Sequence, residues 1–300
     1  MKGKDIMRSF ILGTDWWSDC DDAVALRVIT RSIKDGKIKL CGIGINAAME
    51  YSAASVKGFL LADGIDGIPI GIDKNATGFS GRPPYQKRLA EDYTNGVTND
   101  DFPDAVRLYR TILATAAEPI EIIEIGFLQV IRDVLLSGAD DISELSGIEL
   151  FEKKVSKVWV MAGKWDKDGE REHNFCLNEF VSTAGSEFCK LCPTEITFLG
   201  WEAGFDVITG RGLSEDDHLF RVLKDHGSGN GRSSWDPMTV LMAIIGDEGE
   251  AGYDCVTGTA SVDAADGKNH FLIGDSGKHK FVVKAQPNSY YENLINEIIK

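Results

Sequence analysis

Short apolar runs of strand length alternate with longer segments of helical periodicity through most of this chain, and that alternation constrains its fold more than any other feature. The runs fall at residues 10–12, 40–45, 68–72, 120–125, 158–161 and 196–199, with helical patterns at 23–33, 53–62, 105–116 and 128–136 between them. Near-continuous apolar strands joined by helical crossovers are buried on both faces, which is the pattern of a parallel sheet. The expected fold class is therefore α/β, an open, doubly wound, mostly parallel central sheet flanked by helices. Shorter pieces at 271–273 and 281–283, then a helical pattern around 290–299, predict a small C-terminal appended hairpin and helix. No internal repeat, low-complexity tract or linker interrupts the chain, so residues 1–300 are read as one domain.

In a doubly wound sheet, ligands lie outside the carboxyl ends of the strands. The residues just after the expected strands are the acidic stretch from Asp15 to Asp22, Asn46, residues 126–130 and residues 163–174. The first is the most specific. Asp15, Asp19, Asp21 and Asp22 follow a strand and open a helix, and a cap needs only one such side chain. Several carboxylates at one point coexist when a cation or a helix N-terminus compensates them. A divalent metal is expected there, against the plainer reading of one cap and several solvated neighbours.

A formal charge of −15 argues against nucleic-acid and anionic-membrane surfaces, which need a basic footprint. Residues 1–5 lead into an apolar stretch too short for a secretory segment, and no run approaches membrane-spanning length. A cytoplasmic protein acting on small molecules is expected. The six cysteines are scattered and read as reduced thiols; Cys189 and Cys192 have C-x-x-C spacing without the second pair of a zinc site. Two loop stretches, residues 77–103 and 226–234, are expected to be mobile, the first as a pocket wall and the second closing over a ligand.

The motifs resemble, in order, those of the inosine-uridine preferring nucleoside hydrolase family. The acidic stretch Gly13-Thr14-Asp15 to Asp21-Asp22-Ala23 is similar to the family's calcium loop, with Gly13 in place of its first aspartate. Gly126-Phe127-Leu128-Gln129 stands where the family has a turn that supplies a carbonyl ligand. Glu172-His173-Asn174 resembles the family's ribose-binding motif, and Ser234-Trp235-Asp236-Pro237 its last metal-binding motif. A Gly-Trp-Glu segment at Gly200-Trp201-Glu202 is also similar, without a role to transfer.

What the resemblance implies is a calcium-dependent N-ribohydrolase, a hydrolase of nucleoside salvage that releases ribose and free base. Ca2+ would be held by Asp15, Asp22, Asp236 and the Gln129 backbone oxygen, with a calcium-bound water activated by Asp15 as general base. Substrate contacts would come from Asp21, Asn46, Glu172, His173, Asn174, Trp235 and Asp236. Family members are commonly dimers or tetramers, so a homo-oligomer is implied. Trp235 replaces a histidine that many members use near the departing base, and an indole cannot donate that proton. The alternative is a non-catalytic nucleoside- or ribose-binding protein that keeps the metal and sugar pocket. A phosphatase resembling the haloacid dehalogenases would also open on a strand and an aspartate loop, but it needs an aspartate where this chain has Trp17.

Overall fold

The computed structural model describes residues 7–81, 83–275 and 277–300. The N-terminal stretch 1–5, read above for a leader, lies outside the described residues. The strands are β1 (Arg8–Thr14), β2 (Ile38–Ile45), β3 (Ile70–Ile72), β4 (Ile120–Glu124), β5 (Val155–Met161), β6 (Glu170–Arg171), β7 (Ile196–Leu199), β8 (Ile208–Thr209), β9 (Arg232–Ser233), β10 (Tyr253–Val262), β11 (Lys268–Ile273) and β12 (His279–Lys284). Ten of them form one sheet in the order β3-β2-β1-β4-β5-β7-β12-β10-β11-β6. Every pairing from β3 across to β12 is parallel, and the last three are antiparallel.

Alternation along β1 shows how the sequence divides the core. Phe10 and Leu12 face one layer, with helices Asp21–Lys34, Ser52–Ala62, Trp235–Ile245 and Asn288–Ile299. Ile11 faces the other, with helices Ala105–Thr115, Gln129–Leu136 and Glu179–Leu191. Successive side chains of a strand point to opposite faces, so an unbroken apolar run is what a two-sided sheet requires. The strand order reverses beside β1, where the crossovers pass to β2 on one side and β4 on the other. A crevice opens above such a switch point.

The expected C-terminal strands join the plane of the sheet but do not pair with each other as a hairpin: β10, which no apolar run announced, lies between β12 and β11 and pairs antiparallel with both, and β12 stands beside β7 with Phe281 opposite Phe198. His279, at the start of β12, is buried and accepts a hydrogen bond from the Ala260 N–H. Residues 77–103, expected to lack structure, contain helix Gln86–Tyr93 and a 3₁₀ turn at Asn99–Asp101. That helix buries only Gln86, Leu89 and Ala90, too few positions to show a period. Residues 226–234 also hold structure: Gly227, at φ +90°, ends helix His218–His226, and β9 then pairs with β8. Cys189 and Cys192 lie buried in the core, and all six cysteines are free. No helix among the described residues is long and apolar enough to cross a membrane.

Candidate functional site

A cavity of about 300 Å³ lies at the carboxyl ends of the parallel strands. Its wall includes Asp15, Asp21 and Asp22 after β1, Glu172, His173 and Asn174 after β6, and Trp235 and Asp236 at the start of helix Trp235–Ile245. Residues more than two hundred positions apart thus meet at one point.

The loop between β1 and the first helix is shaped by its tryptophans. Trp16 has φ +46°, in the left-handed region that bulky residues avoid. Packing holds it there: the indole meets Phe59 and Tyr85 edge-on at 5.7 and 5.6 Å, and its Nε1 donates to Ser55 Oγ at 2.8 Å. Gln86 Nε2 donates to the Trp16 carbonyl, and the Tyr85 hydroxyl donates to the Asp19 carbonyl at 2.7 Å. Segment 77–103 therefore braces the acidic loop from behind, and none of its described residues lines the cavity. Trp17 is buried as well, among Phe79, Phe127 and the stacked His173 ring.

Asp21, Asp22 and Asp236 are buried, and an oxygen of each lies within 4.8 Å of the others. Asp21 Oδ2 accepts the backbone N–H groups of Trp235 and Asp236 at 3.1 and 3.2 Å, so it caps a helix from another part of the chain. Asp22 accepts from the Thr14 hydroxyl, and Asp15 Oδ1 accepts from the Trp17 N–H at 3.1 Å. None of these four carboxylates has an ion-pair partner among the described residues. Burial, reinforced by like charges, pushes Asp15 up to about 8 and Asp21, Asp22 and Asp236 well above the carboxylate range. Buried hard oxygen donors lacking positive charge fit a calcium- or magnesium-class cation.

The opposite wall is held equally firmly. Glu172 Oε2 accepts the N–H groups of Gly163 and Asn174 at 2.9 and 3.0 Å, and burial raises its carboxyl to about 7. Asn174 Nδ2 donates to the Met161 carbonyl at 2.9 Å at the end of β5. These bonds leave Glu172 Oε1 and Asn174 Oδ1 for other partners. Burial lowers the His173 pKa, which keeps that ring neutral.

Two expected residues do not reach the cavity. Asn46 is wholly buried beneath it, donating to Glu124 Oε1 at 2.8 Å and accepting the Phe127 N–H at 3.0 Å. Gln129 is wholly buried at the start of helix Gln129–Leu136, its side-chain Nε2 donating to the Asn46 carbonyl. Ile125, directly after β4, lines the cavity instead.

Arg232 is a wall residue that the motifs did not indicate. Its Nε donates to Asp19 Oδ1 at 2.8 Å and one Nη to Oδ2, which holds Asp19 below the carboxylate range against the effect of burial. A lone arginine in a glycine-rich stretch carries no sequence signal when its partner is 213 residues away. Trp201 also lines the cavity; its carbonyl accepts Trp235 Nε1 at 2.7 Å, and its ring stacks on Phe205 at 4.4 Å.

No protein-family model and no curated protein matches the chain. Solved structures share its fold. A plant nucleoside hydrolase superposes with a TM-score of 0.71 at 16% identity, covering 97% of this chain and 98% of that one. The inosine-uridine preferring nucleoside hydrolase from Bacillus anthracis gives 0.69 at 14% identity, covering 98% and 99%. The type III effector protein XopQ, complexed with adenosine diphosphate ribose, gives 0.69 at 13% identity, covering 99% and 94%. The fold is that of the nucleoside hydrolases.

Proposed function

We propose that this chain hydrolyses the N-glycosidic bond of a ribonucleoside or a related ribosyl compound, giving ribose and free base. The observation that carries the reading is the meeting, in one cavity of a nucleoside hydrolase fold, of a buried aspartate cluster with Glu172 and Asn174. Asp21, Asp22 and Asp236 with Asp15 would hold Ca2+, and the neutral backbone oxygen expected from Gln129 is assigned to Ile125. When bound, the cation supplies positive charge for the attacking water and the sugar hydroxyls.

The residues of the chain account for the remaining steps. Asp15 accepts the proton of the attacking water as its oxygen bonds to the anomeric carbon. Glu172 and Asn174, pinned by backbone bonds on one side, hold sugar hydroxyls with the oxygens left free. Such contacts tighten as the ring flattens toward an oxocarbenium-like transition state, so they favour it over the ground state. Trp235 and Trp201 offer an apolar surface to the departing base.

A reducing-sugar assay with calcium, over purine and pyrimidine nucleosides, tests this. Ribose release that falls by about 10²–10⁴-fold in Asp15→Ala is the expected outcome. No release from any substrate, with calcium still bound, would leave a ribosyl-binding protein as the better account.

A further inference from the structure

We infer that Arg232 is a catalytic residue that stabilises the departing base by charge and hydrogen bonding, with Asp19 as its positioning residue. The inference rests on the hydrolase reading above and supplies what that reading lacks, a group at the leaving end of the reaction.

Three observations place Arg232 in this role. It lines the same cavity as the aspartates, and it is the only lysine or arginine among the described residues of that wall. Its Nε and one Nη are committed to Asp19, whereas the second Nη makes no hydrogen bond to a described residue. The side chain keeps 31% exposure, so this N–H pair is open to a ligand. Finally, the guanidinium lies over the Trp235 ring at 5.3 Å, and that ring is fixed by its own bond to the Trp201 carbonyl. The fork is held on two sides, and its free edge stands beside the aromatic surface available to a base.

The chemistry of the other wall residues decides which end of the substrate meets it. Asp15, Asp21, Asp22, Asp236 and Glu172 are acceptors, suited to a cation and to sugar hydroxyls and repelled by an anion. As the C–N bond breaks, both its electrons pass to the base nitrogen, and negative charge spreads onto ring nitrogens and carbonyl oxygens. A guanidinium N–H pair can bond those atoms. Arginine stays protonated throughout, so it acts without transferring a proton. Water gives its oxygen to the anomeric carbon and its proton to Asp15, and the base anion takes a proton from solvent.

The test compares two leaving groups. Inosine must expel a basic nitrogen, whereas p-nitrophenyl β-D-ribofuranoside expels a phenolate that disperses its own charge. With calcium present, Arg232→Gln should lower kcat/KM on inosine by about 10²-fold, the scale of losing one preorganised donor to a developing anion. The loss on the p-nitrophenyl riboside should be at least tenfold smaller. Arg232→Lys should restore part of the inosine rate, and Asp19→Asn should lower kcat more than it raises KM. Equal losses on both substrates, or full recovery with lysine and glutamine alike, would overturn the inference and leave the hydrolase reading intact. Cleavage of neither substrate by the unaltered protein would overturn both.

Discussion

A Cβ at Gly13 would fall inside the carboxylate of Glu124, its register partner on β4. The aspartate that the resemblance leads one to look for at this point of β1 is absent because a carboxylate from the adjacent strand fills the space. Glu124 is wholly buried, accepts from Asn46, and has its second oxygen unpartnered among the described residues; burial raises it to about 8. Gly13→Ala should therefore cost about 1–3 kcal/mol, the usual penalty for forcing atoms into a filled core. Adding Glu124→Ala should recover much of that loss, since neighbours that share a space do not act additively. Thermal melts of the singles and the double check this; strict additivity would sink it. The sequence made Gly13 and Asn46 visible as unusual residues after strands, but their reason is a cross-strand contact that no local pattern encodes. The place of Asp15, Glu172, Asn174 and Asp236 on the cavity wall was legible because each sits in a compact motif beside a strand end or helix start.

At the scale of elements, the two helices that open on the cavity are tied together by Asp21, which stands in the first turn of one and caps the other. Asp21→Asn keeps an oxygen for the cap and removes one of several like charges. It should raise the melting temperature of the calcium-free protein at pH 8 and shrink the rise produced by calcium. A lower calcium-free melting temperature with an undiminished calcium response would contradict the placement. Trp16 belongs to the same junction. Its replacement by alanine should cost about 3–5 kcal/mol, as for other large buried aromatics, and weaken calcium binding by loosening Asp15 and Asp22. Unaltered calcium affinity in that variant would show that the loop keeps its shape without the indole. The six parallel strands expected from apolar runs were legible for the reason β1 shows, burial on both faces. β10 was not, because its sequence from Tyr253 to Val262 is rich in Thr, Gly and Ser and alternates exposed with buried positions. Helix Gln86–Tyr93 was hidden by its length and by a core contact made with a tyrosine before it.

For the molecule as a whole, the buried acids set how stability varies with pH. Asp15, Glu124 and Glu172, raised to about 8, 8 and 7, stay protonated when folded while the unfolded chain ionises above about pH 4. Their contribution is complete below that range and is lost as pH rises toward the folded values, by about 1.4 kcal/mol per pH unit for each group still protonated. In EDTA the protein should melt highest near pH 5 and progressively lower at pH 7 and 8. Calcium should oppose that decline, because it favours the ionised carboxylates. A melting temperature that climbs with pH in EDTA would refute the assignment.

The cavity joins distant stretches of the chain, with Asp19 bonded to Arg232 and Asp21 to the backbone of Trp235 and Asp236. During synthesis, the strands through β7 can emerge and pair while the partners of the acidic loop are still inside the ribosome. A nascent chain can therefore hold most of its parallel sheet before its ligand cavity exists. Release of the segment near residue 236 is the earliest moment at which a cation or a sugar can begin to reward correct folding.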